Sequence, residues 1–326
     1  MQDKSLERLM FSRTVSPLIG NKLSILIYHS IRKGLDDLTP YSLNATIFEQ
    51  QINLLNRYFD VVTLSEGIER IKQGNVERPT VVITFDDGYV DQYDVALPIL
   101  NKFGVPATFF VTTAYFDGGL MWNDSVVESF RKLPHDMEYI NLDKIGLGVQ
   151  SISGDEQKRK ILSYILMQLK RMHPFQREES VSIIRDIASS YEDVKLMMDR
   201  QQLREMSDAG MEIGCHTKSH PILTSLSDQE SIKEIRESKI ELEHITEKPV
   251  RYFAYPNGRP YEDYMPEHVE IVKELGFDAA FSTAKGVTTA ESDFYQLPRF
   301  TPWDKSSFKF MLRILANYTE TEPLVV

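Results

Sequence analysis

Short apolar runs alternate with amphipathic segments along most of the 326 residues, and this alternation constrains the fold more than any other feature. It is typical of a mainly parallel sheet with helical connections. Several runs are apolar throughout, as strands covered on both faces are. The predicted strands are Ser24–Tyr28, Val61–Leu64, Thr80–Phe85, Ala107–Val111, Glu212–Cys215, Tyr252–Tyr255, Ala279–Ser282 and Gln296–Phe300.

Helical periodicity fills the connections between these runs. The predicted helices are Ile47–Tyr58, Val90–Phe103, Ser231–Ile245 and Val269–Leu275. Ser227 and Glu230 have the spacing of a capping box before the third helix. About eight strands with helices between them predict an α/β fold, a distorted (β/α) barrel. An open doubly wound sheet is the alternative, because one sequence does not reveal strand order.

One segment interrupts the alternation. One hundred residues lie between Val111 and Glu212, several times a normal strand-to-strand connection. We interpret residues 114–205 as a helical insertion within a single domain spanning residues 1–326. The insertion is either a surface decoration, or a functional element that acts as a substrate lid or a partner surface.

Composition excludes some classes of partner. The net charge is −11 and no run is rich in lysine or arginine, which argues against nucleic acid. No stretch approaches the roughly 20 apolar residues that span a bilayer. The first residues show no continuous apolar run of the secretory type, so a cytoplasmic location is expected. Cys215 is the single cysteine, which excludes an intramolecular disulfide.

Two adjacent carboxylates, Asp86 and Asp87, end the apolar strand Thr80–Phe85 and precede Gly88. In α/β folds, the side chains at the carboxyl ends of strands point into the site. Neighbouring carboxylates can divide the work: one binds a cation while the other accepts a proton. An ordinary turn is the alternative for this motif taken alone.

Two histidines, His216 and His220, follow the strand Glu212–Cys215. At this spacing both rings can reach one metal if the chain between them makes a helical turn. With Asp87 they would form a three-ligand set that leaves positions open, the catalytic pattern for zinc. Solvated loop histidines are the alternative. Downstream, Pro256-Asn257-Gly258 predicts a tight turn that can aim a backbone N–H at an oxyanion.

Three motifs together resemble the polysaccharide deacetylases, the fourth carbohydrate esterase family. They are Thr84-Phe85-Asp86-Asp87-Gly88, the His-Thr-x-x-His of 216–220 and the Arg-x-x-x-x-Pro of 251–256. The resemblance implies a distorted (β/α) barrel of about seven strands and hydrolysis of N-acetyl groups on a sugar, oligosaccharide or polysaccharide. It also implies a divalent metal, commonly zinc, with nickel, cobalt or iron(II) as alternatives.

The resemblance assigns roles by matching position. Asp86 would be the general base, and Asp87, His216 and His220 would be the metal ligands. The backbone N–H of Asn257 would lie in the oxyanion hole. Substrate contacts are expected from Tyr255, Trp122 and Trp303.

The chain departs from the commoner family pattern in three places. No histidine follows His268, whereas many members carry a Leu-x-x-His motif near the C-terminus. Leu26-Ile27-Tyr28-His29 supplies that motif at the first strand, as in the subgroup acting on poly-N-acetylglucosamine and exopolysaccharides. Since the first and last strands of a barrel are neighbours, His29 is our choice for the general acid. A buried structural histidine is the alternative.

The other two departures concern the partner of the base. Ala254 stands where many relatives have an arginine that orients the base, and we favour Arg299 over Arg251 as its replacement. The usual Asp-x-x-Asp-Trp motif is also absent. Two other functions stay open: deformylation or deacylation of a small or lipid-linked sugar precursor, and carbohydrate binding without catalysis.

Overall fold

A parallel sheet organises the computed structural model, which describes residues 10–12, 14–15, 19–34, 36, 38–39, 43–189 and 194–326. The strands are β1 (Leu23–Tyr28), β2 (Ile31–Arg32), β3 (Leu43–Asn44), β4 (Asp60–Val61), β5 (Thr80–Phe85), β6 (Thr108–Val111), β7 (Tyr139–Leu142), β8 (Gly148–Ser151), β9 (Glu212–Cys215), β10 (Tyr252–Ala254) and β11 (Ala279–Phe281). The strand order in the main sheet is β1-β5-β6-β9-β10-β11, and every pairing between these strands is parallel. β4 also pairs in parallel with the first two residues of β5, whereas β6 pairs with its last two.

Helices occupy the connections between the strands. They are α1 (Ala45–Tyr58), α2 (Leu64–Lys72), α3 (Leu97–Phe103), α4 (Trp122–Lys132), α5 (Asp155–Lys170), α6 (Pro174–Ile187), α7 (Arg200–Asp208), α8 (Asp228–Thr246), α9 (Pro266–Glu274) and α10 (Ser307–Asn317). The predicted capping box is confirmed at the start of α8, where Ser227 and Glu230 satisfy each other's backbone N–H groups. Within the described residues, no helix is long and apolar enough to cross a membrane.

Six of the predicted strands are confirmed to within one residue at each end, but two predictions are wrong. The run Val61–Leu64 is strand only at Val61, because Thr63 caps α2 and accepts a hydrogen bond from the Glu66 N–H. The run Gln296–Phe300 contains no regular strand, only single bridges at Leu297 and Phe300. Pro298 lies between them and has no N–H to continue a ladder.

These two bridges nevertheless close the barrel. Leu297 pairs with Phe281 of β11, and Phe300 pairs with Leu26 of β1, both in parallel register. The Phe300 N–H donates to Ile25 O at 2.8 Å, and the Ile27 N–H donates to Phe300 O at 2.9 Å. The segment 296–300, hereafter the seam, therefore joins the last strand to the first. The architecture is the expected distorted (β/α) barrel.

The predicted helix Val90–Phe103 divides into two parts. Residues Gln92–Ala96 form a π-helical turn, and α3 then begins with Pro98 in its first turn. Pro98 lacks the N–H that would continue an α-helical ladder from the preceding turn. The π turn points the buried side chain of Gln92 at the end of β5, where its Nε2 donates to Asp86 O at 2.6 Å.

Alternate residues of the strands pack on opposite faces of the sheet. One face packs with α2 into a core that includes Leu23, Ile25, Val82, Phe110 and Phe281. The other packs against the remaining barrel helices. The segment 114–205 contains α4, α5, α6 and the β7–β8 hairpin, which share a separate hydrophobic core that includes Val126, Phe130, Ile140, Leu162, Ile165 and Ile184.

We expect Gly214→Ala in β9 to destabilise the barrel by about 1–3 kcal/mol, the usual range for an overpacked core. A Cβ at Gly214 would lie 2.4 Å from Phe110 Cδ1 and 3.2 Å from Tyr252 O. Gly34→Ala is the control, since a Cβ there meets nothing within 4 Å. Urea unfolding measures both variants, and equal stability of the two would contradict the packing argument.

Candidate metal and catalytic site

The carboxyl end of β5 forms the floor of the site and presents Asp86 and Asp87. The Asp86 N–H donates to Tyr28 O at 2.9 Å, and Asp87 O accepts from the Thr112 hydroxyl at 2.7 Å. Gly88 turns the chain with a φ of +92°, and a Cβ there would lie 2.7 Å from Val111 Cγ1. The glycine is thus required both for the backbone conformation and for the close approach to β6.

Asp86 is held by a bidentate ion pair with Arg299. The Asp86 carboxylate accepts from Arg299 Nη1 at 2.6 Å and from Nη2 at 2.8 Å, while Nε donates to Ser282 O at 3.1 Å. Both side chains are buried. Burial raises the pKa of Asp86, but the charges of Arg299 and His216 outweigh burial and hold this pKa below its usual range. Asp86 is therefore ionised and fixed in orientation at neutral pH.

Asp87, His216 and His220 bring their ligand atoms within 4.8 Å of one another. Asp87 Oδ1 lies 3.5 Å from His216 Nε2 and 3.4 Å from His220 Nε2. This oxygen is buried and has no hydrogen-bond partner within the described structure. A buried carboxylate oxygen between two imidazole nitrogens is a donor set that fits a divalent metal.

The protonation states of His216 and His220 are also suited to binding a divalent metal. His216 Nδ1 lies 2.8 Å from Ala254 O, so Nδ1–H donates there and Nε2 is directed at Asp87. Burial lowers the pKa of His220 to about 4, which leaves a neutral ring. Burial also opposes a charge on His216, but Asp86 and Asp87 together raise its pKa. A cation bound there would therefore compete with a proton for Nε2.

The loop that carries both histidines is strained and is held by Glu234 of α8. Thr217 and His220 have φ values of +65° and +57°, rare for residues other than glycine. Glu234 Oε2 accepts from the Lys218 N–H at 3.0 Å and from the Ser219 N–H at 2.8 Å. Its other oxygen accepts from the Ser219 hydroxyl at 2.8 Å. Glu234 thus stabilises the turn that directs His220 towards Asp87.

A cavity of about 400 Å³ opens above these groups. It is lined by Asp86, by the three candidate metal ligands, by His29 and Asn257, and by side chains from the insertion. The insertion contributes Met121, Trp122, Asn123, Leu166, Met167 and Lys170. The acid, base and ligand candidates therefore face one space that accepts a small molecule or the end of a longer one.

The sequence matches the family model described as polysaccharide deacetylase over residues 73–153 and 155–280. The chain belongs to the polysaccharide deacetylase family. Its reaction class is that of an N-deacetylase hydrolase.

The similarity to known proteins extends over nearly the whole chain. A Staphylococcus aureus poly-beta-1,6-N-acetyl-D-glucosamine N-deacetylase is 23% identical over 324 residues, which cover 93% of this chain and 86% of that protein. Among solved structures, the Streptococcus pyogenes deacetylase PplD has a TM-score of 0.59 at 22% identity and covers 90% of this chain and 98% of its own. IcaB from Ammonifex degensii has a TM-score of 0.56 at 19% identity and covers 92% and 97%.

The remaining candidate residues differ in whether they reach the cavity. His29 is exposed and lines the cavity of about 400 Å³ beside Asp86. Asn257 lines it too, with a φ of +59°, and Trp122 is half-buried in its wall. Trp303 is 52% exposed and lines two neighbouring cavities that also contain His29. Tyr255 is a correction: its ring is buried against Tyr264, so it cannot contact a substrate in the cavity.

The departure at Ala254 has a structural explanation. Arg299 occupies the position beside Asp86, whereas Arg251 pairs with Asp278 at 2.5 Å on the surface. Sequence reasoning missed Glu234 and Gln92, because neither belongs to a motif and both act through backbone groups. The one feature of the sequence that could have indicated them is a polar residue on a helix face whose other residues are buried.

We expect Glu234→Ala to loosen the loop of His216 and His220. Hydrogen bonds to a charged acceptor contribute about 1.5–3 kcal/mol each, so the Lys218 and Ser219 amides should exchange with solvent at least about tenfold faster. Glu237→Ala is the matched control on the same helix, because Glu237 binds the Lys218 side chain and not the loop backbone. Hydrogen-exchange mass spectrometry measures both. An equal increase in the two variants would refute the role of Glu234.

Proposed function

We propose that the protein is a divalent-metal-dependent N-deacetylase of poly-N-acetylglucosamine or a related N-acetylated exopolysaccharide. One observation carries the proposal. The buried Asp86 carboxylate, which is paired with Arg299, lies directly beside the Asp87, His216 and His220 set and lines the same cavity. The similarity to the Staphylococcus aureus enzyme supports the choice of saccharide.

Asp87, His216 and His220 are the residues that would hold the metal. Two imidazoles and one carboxylate are a zinc donor set, and nickel, cobalt and iron(II) accept the same ligands. When bound, such a cation would polarise the acetyl carbonyl and acidify a water molecule.

Asp86 acts as the general base. It lies 3.7 Å from His216 Nε2, measured from its Oδ2, and is therefore next to the place where a water would attack the acetyl carbon. Arg299 keeps it ionised, so that it accepts the proton of the attacking water at neutral pH. General base catalysis of this kind contributes about 10²–10⁴-fold to the rate.

His29 and Asn257 act on the other two atoms of the amide. Asn257 lies in a left-handed turn that lines the cavity, so its backbone N–H can donate to the carbonyl oxygen as negative charge develops. An amine leaves poorly as an anion. His29 therefore donates a proton to the sugar nitrogen as the C–N bond breaks, which yields acetate and a free amine.

The test is acetate release from a β-1,6-linked N-acetylglucosamine oligosaccharide. We expect activity that a chelator abolishes and zinc restores, and a loss of about 100-fold or more in Asp86→Asn with metal content unchanged. Asp94→Asn, at an exposed position on the following turn, is the control and should remain active. Metal analysis and circular dichroism establish that each variant is loaded and folded.

Three outcomes would contradict the proposal. Activity that survives both chelation and the Asp86→Asn substitution would show that neither the metal nor Asp86 is needed for catalysis. Release of formate or a longer acyl group from a small or lipid-linked sugar, without acetate from the oligosaccharide, would favour the alternative hydrolase. Oligosaccharide binding without any hydrolysis would make the protein a carbohydrate-binding relative.

We expect His29→Ala to keep its fold and metal and to lose most activity on N-acetyl substrates. It should lose much less on an activated aryl acetate, because a phenolate leaves without protonation. His135→Ala, an exposed histidine in the insertion, is the control for loss of an imidazole. Comparison of kcat on the two substrates tests the assignment, and an equal loss on both would rule out His29 as the acid.

A further inference from the structure

A second cavity, of about 500 Å³, adjoins the catalytic one. Trp122 lines both, so a single indole ring lies between them. The walls of the second cavity come from α4, from α6 and from the residues that precede α4. Ser219, between the two ligand histidines, also contributes. The volume lies in the range that holds a sugar ring or a comparable ligand.

Arg177 of α6 faces this cavity without a partner. Its side chain is only 5% exposed, yet no carboxylate or carbonyl among the described residues accepts from its guanidinium. The contact that the group makes is with a ring: its Cζ lies 4.8 Å from the centre of Trp122. A guanidinium has five N–H donors, and burial without acceptors is unfavourable.

The neighbouring charges do not neutralise Arg177. Glu128 also lines the cavity, but its Oε1 is paired with Arg131 Nε at 3.2 Å. Glu178 also lines the cavity, but its side chain is exposed, where solvent screens its charge. Burial lowers the pKa of Arg177, and the nearby Tyr115 and Glu178 only partly offset this effect. Arg185 lines the same cavity and adds a second positive charge.

Packing alone does not account for an arginine at this position. A cation–π contact with Trp122 is weaker than the cost of burying an uncompensated charge, and an aliphatic side chain would fill the space without that cost. A guanidinium fork that is buried, lines a cavity and has no acceptor among the described residues is suited to a carboxylate or phosphate group.

We infer that this cavity binds an anionic substituent, a carboxylate or a phosphate, on the saccharide whose N-acetyl group occupies the catalytic cavity. The inference rests on the proposed function, because it places both groups on one substrate. Trp122 then contacts the sugar between the two sites, and Arg177 is a specificity-determining residue for a charged polysaccharide.

The experiment compares three β-1,6-linked N-acetylglucosamine oligosaccharides of equal length: neutral, with one phosphate ester, and with one succinyl group. Binding is measured by calorimetry at fixed ionic strength with metal-loaded Asp86→Asn protein, so that turnover does not interfere. We expect at least one charged ligand to bind about tenfold more tightly than the neutral one. The preferred ligand identifies the anion as phosphate or carboxylate.

In the Asp86→Asn protein, the further substitution Arg177→Gln should abolish the preference for the charged ligand, so that the ratio of affinities falls to about one. The affinity for the neutral oligosaccharide should not change. Arg177→Lys should retain part of it, since the charge remains but the fork does not. Arg236→Gln, which removes an exposed arginine of α8, is the matched control and should keep the full preference. If Arg177→Gln does not fold, the comparison of ligands on the parent protein and on Arg177→Lys decides.

Parallel acetate release from the neutral oligosaccharide by the wild-type protein separates the two proposals. Acetate release with equal affinity for all three ligands overturns the anion site and leaves the deacetylase function intact. A charge preference that Arg177→Gln abolishes, without any acetate release, overturns the function and leaves the anion site intact. A preference that Arg236→Gln also abolishes overturns the site as a general effect of net charge.

Discussion

The ion pair between Asp86 and Arg299 links the catalytic site to the closure of the barrel. Arg299 belongs to the seam, and Asp86 directly follows strand β5, so their contact joins two parts of the chain that are distant in sequence. Both side chains are almost fully buried. Removing one partner from a buried pair typically costs about 3–5 kcal/mol, because the other charge stays buried. The orientation of Asp86 therefore depends on the closure of the barrel at the seam.

Backbone strain is concentrated around this pair. Asp87, Thr217, His220 and Asn257 all have positive φ, and all four belong to the loops at the carboxyl ends of the strands. Such conformations cost about 1–3 kcal/mol each and persist only where surrounding contacts determine them. Here those contacts include the hydroxyl of Thr112 on the Asp87 carbonyl and the carboxylate of Glu234 on the histidine loop. The rigid barrel stabilises geometry that a free loop would not adopt.

The sequence predicted those parts of the molecule whose cause is local. Runs such as Thr80–Phe85 become buried strands because a short segment rich in β-branched residues fits a parallel sheet that is covered on both faces. Asp86, Asp87, His216 and His220 were predicted together because each follows such a strand. Arg299 could be favoured only through resemblance, since its partner lies more than two hundred residues away in the sequence.

What the sequence did not predict depends on distant contacts. The turn Gln92–Ala96 looks like ordinary helix in the sequence, and only the position of the Asp86 carbonyl explains why Gln92 points inward. Tyr255 ends a strand beside a turn and resembles a cleft residue, but the stacked ring of Tyr264 covers it. Arg177 lies among polar residues of an amphipathic helix, and nothing in that pattern indicates that its guanidinium is buried.

The burial of Cys215 has a practical consequence. The thiol lies within β9, and burial raises its pKa to about 11, so it carries almost no thiolate at neutral pH. Maleimide reagents react with thiolates that solvent can reach. A cysteine introduced at an exposed position, such as Met167 in the wall of the cavity, would therefore become the single reactive thiol of the folded chain. A fluorophore at that position would report occupancy of the cavity without removal of the native cysteine.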